Sequence, residues 1–220
     1  MIQSLNKYDV KKCVVRIPKK IRELMKQEKN MYIAGGFIRS VIVGDFVNDI
    51  DIFAGDRETS RKLVHKLTNR ISDIKETDNA FTLTYFRPPT QFIHRWVFDN
   101  YEDLIESFDY TICKAVIRYN SIDKTWEGFC SEKYYPDLAA RRLVYCNPIR
   151  DEEAGGSMLR LLKYYRKGYT SPLSTIADVI ARLALSNYNL SEEIDVVDFS
   201  YFIKGQLIEV DPNTAAVEML

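Results

Sequence analysis

The sequence has only two histidines and four cysteines in 220 residues, and no two cysteines stand at a CxxC spacing. That spacing argues against a cysteine–histidine zinc site, and Cys13, Cys113, Cys130 and Cys146 read as free, reduced thiols. No stretch approaches the ~20 consecutive apolar residues that cross a bilayer. The opening "MIQSLNKYDVKKC" lacks an apolar run of signal-peptide type. The expectation is a cytoplasmic protein without a membrane partner. Internal repeats and low-complexity segments are absent as well.

Net charge is also missing: 31 basic residues balance 31 acidic ones. The balance hides an asymmetry. Residues 171–220 carry two basic residues, Arg182 and Lys204, against eight acidic ones, so the first 170 carry 29 basic and 23 acidic groups. A cationic front is compatible with a polyanionic substrate but does not demand one. The remaining composition, 46% hydrophobic and 28% charged, suits a globular chain of one large or two small domains.

Periodicity divides the chain into an α/β part and a helical part. Apolar residues Ile17, Ile21, Leu24 and Met25 predict a helix over 15–28, with Pro18 near its start. "MYIA" reads as a strand, and "FIRSVIVG" as a short helix stopped by Gly44. "DIDIF" alternates with strand period. Residues 56–71 read as an amphipathic helix with Leu63, Val64, Leu67 and Ile71 inward. "FTLTYF" and "QFIHRWVF" read as strands around the turn "RPPT", "YEDLIESF" as a short helix and "DYTICKAVIRY" as a strand. Beyond about residue 130 only helices are expected: near 134–140, 155–167, 171–185, 192–204 and 213–220. This predicts an α/β (α+β) head over 1–130 and a helical extension over 131–220.

One stretch concentrates the chemistry: "IAGGFIRSVIVGDFVNDIDIF", from Ile33 to Phe53. Asp49 and Asp51 are two apart on a strand, so their carboxylates share a face and repel unless a cation lies between them. Mg²⁺ takes such oxygens and commonly bridges them to substrate phosphates. The intervening Ile50 and the following Ile52 then point into the core. Gly35-Gly36, between a strand and a helix, lets backbone approach a triphosphate at a helix N-terminus. Arg39, one turn on, can add a charged fork.

Elsewhere the same residues read two ways. "RLLKYYRKGY" interleaves Arg160, Lys163, Arg166 and Lys167 with Tyr164, Tyr165 and Tyr169, which fits either a nucleic-acid grip or a solvated helix face with tyrosines packed on the sheet. Arg141-Arg142 reads as a surface pair. His65 reads as exposed and His94 as a strand-face residue. Trp96 and Trp126 read as core.

"YIAGGFIRSVIVGDFVNDIDIF" resembles the signature of the polymerase-β-like nucleotidyltransferases, most of all the tRNA CCA-adding enzyme and bacterial poly(A) polymerase branch, with its GG-x-x-R-D-x-x-x-G then D-x-D. "EDLIESFDYTICKA", "DLAARRLVYCNP" and "MLRLLKYYRKGY" resemble later segments of the family in the same order. The resemblance implies a catalytic head with a small mixed sheet and a helical neck. It implies that Asp49 and Asp51 bind two Mg²⁺ ions. Gly35, Gly36, Arg39 and Ser40 would hold the nucleoside triphosphate, ATP and/or CTP. Asp109 would lie near the sugar or act as a third acid, and Arg160 and Lys163 would face the base or phosphates. Ser40 stands where the family usually has aspartate, and Ser107 where it has arginine. "TQFIHRW", a strand that often carries a third acid, offers Gln91, His94 and Arg95 instead. "DEEAGG" is not a clean copy of the family's nucleotide-selecting motif.

The function so implied is Mg²⁺-dependent transfer of a nucleoside monophosphate to an acceptor hydroxyl, with an RNA 3′ end of tRNA-like kind as leading acceptor. Only about 50 residues, with an excess of acidic groups, follow Tyr169, where that branch carries RNA-gripping helices. Two alternatives stay open. One is a transferase acting on a protein or small molecule, as in toxin–antitoxin or antibiotic-modifying relatives; the other is a catalytically silent nucleotide or RNA binder.

Overall fold

The computed structural model describes residues 1–146 and 154–185, and the backbone of three short strands beyond them. The chain runs β1 (Ile2–Ser4), α1 (Lys7–Val14), α2 (Lys19–Gln27), β2 (Tyr32–Ala34), α3 (Gly36–Val43), β3 (Ile50–Phe53), α4 (Arg57–Leu67) and β4 (Ile74–Glu76). It continues through β5 (Ala80–Leu83), β6 (Thr90–Ile93), α5 (Tyr101–Glu106), β7 (Ala115–Asn120) and β8 (Thr125–Ser131). Three helices follow: α6 (Tyr134–Ala139), α7 (Ala154–Arg166) and α8 (Leu173–Leu185).

The first eight strands form one mixed sheet in the order β1-β8-β7-β2-β3-β6-β5-β4. β3 and β6 pair in parallel; the other neighbours are antiparallel. Strand period sorts the side chains. Ile33, Ile52, Phe92 and Phe81 share one rung and enter the large core under α1–α4, with Ile50 also fully buried. The next rung, Tyr32, Phe53, Ile93 and Ala80, faces the opposite side, in a second core with Leu104 and Ile105 of α5. The expected inward aim of Ile50 and Ile52 is therefore observed.

Capping sets the helix ends. Asp56 accepts from the Thr59 N–H at 2.8 Å and starts α4. α3 stops at Gly44, which holds the left-handed conformation expected of it. α2 begins after Pro18 rather than at residue 15. α4 ends at Leu67, so Ile71 is not inward: it is 84% exposed in a separate turn. β1, α1, β4 and β8 were not anticipated from the sequence. β8 contains Gly128, where a Cβ would come within 2.7 Å of Leu5 and 2.8 Å of Val10, so the strand accepts the N-terminal segment only without a side chain there.

At the far end, Tyr201–Ile203, Gln206–Val210 and Val217–Met219 form β9–β11, an antiparallel sheet in the order β11-β10-β9. The helices expected over 192–204 and 213–220 thus give way to strands where the backbone is described, and the rest of both stretches lies outside the described residues. The correction has a local cause. "YFI" and "QLIEV" are rich in β-formers, and Lys204-Gly205 separates them by two residues, the spacing of a tight hairpin.

Candidate active site

The site forms where β2 turns into α3 beside the start of β3. Gly35 takes φ 74° and ψ −133°, and its N–H reaches the Ala115 carbonyl at 3.3 Å. α3 has no side-chain N-cap, so its first N–H groups carry positive potential without a protein cap acceptor. Asp51 lies opposite Ala34 on β2 and Gln91 on β6. Asp49 lies just before β3, two residues from Asp51, and both aspartates are partly exposed. This rung continues to Thr82 of β5. Gln91 and Thr82 are 2% and 3% exposed, and the Gln91 Oε1 and Thr82 Oγ1 atoms lack a hydrogen-bond partner among the described residues.

Arg39 and Ser40 lie under the site rather than at its surface. Arg39 is 4% exposed, with its guanidinium 4.6 Å from the Tyr164 ring of α7 and one N–H donating to Ser40 Oγ at 3.1 Å. Its Nε and Nη1 groups have no hydrogen-bond partner among the described residues. Nη2 sits 3.8 Å from where a Gly36 Cβ would be, so the cation underlies the first turn of α3. Burial opposes its charge, but the surrounding Tyr164, Cys113 and Tyr169 favour it, and its pKa is raised.

α7 supplies the facing wall. Burial lowers the Lys167 pKa, Arg39 and Lys163 lower it further, and Asp45 and Asp49 oppose them. Lys167 itself lies just past the end of α7, four residues beyond Lys163. Lys167 read from sequence only as part of a basic and aromatic run; its spacing of four from Lys163 was the available signal. Gln91 was read on the strand where the resembling family often carries a third acid; its register opposite Asp51 comes from the parallel pairing of β6 with β3, which is not visible in sequence order.

Asp109 and Arg160 form a separate junction. Asp109 is 1% exposed, and its Oδ2 accepts from Arg160 Nε at 2.7 Å and Ser157 Oγ at 2.9 Å. Tyr110 donates to the Ser157 carbonyl at 2.6 Å. A second junction joins buried Asp137 to Thr111 Oγ1 at 2.7 Å and Arg142 Nε at 2.8 Å. Arg142 is exposed, as the sequence suggested, and also pairs with the buried carboxylate of Asp137. Tyr164 of α7 and Tyr169, just beyond the helix, are buried, and Tyr165 is exposed. Trp96 and Trp126 are half-buried against the edges of the two cores. His65 is exposed, and His94 is buried beside Phe81.

The sheet, the glycine turn into α3 and the aspartate-bearing strand beside it make this a polymerase-β-like nucleotidyltransferase fold. It is similar to the Thermotoga maritima CCA-adding enzyme complexed with tRNA (16% identity, TM-score 0.58, 84% of this chain, 46% of that one). It is also similar to a CCA-adding enzyme with CTP (16%, TM-score 0.56, 83% and 44%) and to a tRNA-processing enzyme in an apo form (18%, TM-score 0.54, 77% and 48%).

Within that class, the chain belongs to the Gabija anti-defense 2 family, whose model matches residues 4–141. A curated relative, Gabija anti-defense 2 of Bacillus phage SPbetaL7, is 25% identical over 169 residues, covering 74% of this chain and 39% of the relative. The chain thus spans less than half the length of that relative and of these solved structures. Among the described residues no helix is long and apolar enough to cross a membrane, and no group of three His, Cys, Asp or Glu side chains is placed to hold a metal ion.

Proposed function

We propose that this protein is a Mg²⁺-dependent nucleotidyltransferase, with residues 1–130 as its catalytic head and 131–220 as its neck. The observation that carries this reading is Asp51 on β3, with Asp49 just before that strand, beside β2, which turns through Gly35 into the uncapped N-terminus of α3. The residues fit the groups they would receive. Asp49 and Asp51 are hard oxygen donors at the start of β3, and Gln91, whose side-chain oxygen has no partner among the described residues, lies opposite Asp51. The unpaired Arg39 N–H groups and Gly35-Gly36 offer a seat of opposite sign for a triphosphate.

When bound, two Mg²⁺ ions would lower the pKa of an acceptor hydroxyl and neutralise charge on the phosphates. Asp49 and Asp51 would hold them. α3 and Arg39 would orient the triphosphate, of ATP and/or CTP, with Ser40 fixing the guanidinium. Lys163 and Lys167 would balance charge from the α7 side. The acceptor oxygen bonds to the α-phosphorus, the bond from that phosphorus to the bridging oxygen breaks, and pyrophosphate leaves with the electron pair. The hydroxyl proton goes to solvent. Asp109 and Arg160 would act together, holding α7 at the distance the lysines need.

The first acceptor reading is an RNA 3′ end of tRNA-like kind, in keeping with the order of motifs from Met31 to Tyr169. A second reading is favoured by the family match over residues 4–141: the acceptor is a protein component of the Gabija defence, and its modification disarms that defence. Cytoplasmic action suits both. Incubation with each α-³²P-labelled NTP, a total tRNA pool and purified Gabija proteins separates them by where label appears. Asp49→Asn and Asp51→Asn should each reduce transfer on the order of a hundredfold or more while leaving the melting curve intact. Full transfer by both variants overturns the reading.

A further inference from the structure

We infer that Gln91 completes the divalent-ion site: its side-chain carbonyl is the third protein oxygen beside Asp49 and Asp51. The inference rests on the proposed metal dependence and names a ligand for it. The parallel β3–β6 ladder sets Gln91 directly opposite Asp51. Residues opposite one another in a ladder share a face, with Cβ atoms roughly 5 Å apart. Gln91 is 2% exposed, and its Oε1 has no hydrogen-bond partner among the described residues.

A buried amide oxygen without a partner is costly, and native structures rarely keep one without a reason. Its surroundings supply no donor that uses it. Ala34, Phe53 and Ile93 on this face are apolar, and the next polar group along the rung, Thr82, leaves its own oxygen unpartnered. A neutral carbonyl oxygen with two lone pairs is a ligand that Mg²⁺, Mn²⁺ and Ca²⁺ accept. The site would then hold its ions with two charges and one dipole. Affinity for such ions depends on ligand charge count, so an acid at position 91 should bind more tightly than the amide.

The full chain is tested with Mn²⁺, bound ion being read by electron paramagnetic resonance, in the unaltered protein, Gln91→Met and Gln91→Glu. Gln91→Met keeps the length and removes the orphaned oxygen. In metal-free buffer it should melt no lower than the unaltered protein, yet bind Mn²⁺ about tenfold more weakly. Gln91→Glu should bind about tenfold more tightly. Unaltered affinity in Gln91→Met overturns the inference, as does loss of its folded state without metal, which would assign the amide to the core. If the unaltered protein itself binds no Mn²⁺, the aspartate-pair reading falls too. If it binds and both variants match it, the assignment of Gln91 alone falls.

Discussion

Replacing Gly35 by alanine tests the turn on which the site depends. At φ 74° and ψ −133° the backbone is near the mirror image of an extended strand, a region almost confined to glycine. Holding alanine there costs on the order of 1–3 kcal/mol. The new methyl would also lie 3.2 Å from Phe108 Cε1 and 3.4 Å from its Cζ. That ring cannot easily retreat, since it packs edge-on against Phe53 at 6.4 Å. Overpacking of this kind adds about 1 kcal/mol. A total of about 3 kcal/mol lowers the melting temperature by roughly 6–12 °C in a chain of this size. Gly44→Ala is the internal control. Its φ of 81° and ψ of 18° are left-handed, but nothing lies within 4 Å of the added methyl. It should cost about 1 kcal/mol and roughly 2–4 °C. Calorimetric melts of both variants, and of Gly35→Ala combined with Phe108→Leu, separate backbone strain from steric contact. The pairing should recover only the steric share. If Gly35→Ala melts within about 2 °C of Gly44→Ala, the reasoning is refuted.

Asp109→Ala removes the two hydrogen bonds that its buried carboxylate accepts from Ser157 and Arg160, which should cost about 3 kcal/mol in denaturant titration. Asp109→Asn, which keeps an oxygen for Ser157, should cost about half as much, and a loss below about 1 kcal/mol for alanine would mean the junction does not hold α7. His94 supplies the pH dependence. Burial lowers its pKa from 6.5, with Arg57 adding to the effect, so the unfolded state binds the proton more readily than the folded one. Its contribution to stability is complete above about 6.5 and is lost as pH falls through the lowered folded value. Melts from pH 8 to pH 5 should show a decline that Gln at position 94 reduces, and an unchanged pH profile in that variant would count against it.

The elements that sequence revealed were those whose signals are local. The Gly44 stop, the Asp56 cap and the Ile50/Ile52 alternation each depend on one residue or on strict period, and each appears in the fold. What escaped depends on partners distant in sequence. β8 has Glu127 and Gly128 inside it, so its apolar alternation is broken, and it is a strand because β7 and β1 flank it. Ile71 fitted the helical period, but the chain leaves the helix at Thr68, three residues before Ile71. The candidate site divides the same way. The Asp49/Asp51 spacing is a local signal, whereas the register of Gln91 opposite Asp51 depends on the parallel pairing of β6 with β3.

The serine at position 40 shows how a departure from a family pattern acquires meaning from packing. Where the resembling enzymes usually have aspartate, a carboxylate would neutralise the adjacent guanidinium. Here Ser40 accepts one N–H from Arg39 and brings no charge, while Tyr164 gives the cation a π face, worth about 2 kcal/mol when desolvated. Neither partner cancels the positive charge, and two N–H groups of the guanidinium stay unpaired among the described residues. A buried cation in that condition is expensive unless an anion arrives. Under the proposed function, a triphosphate at the first turn of α3 would supply the balancing charge that the protein leaves out at position 40.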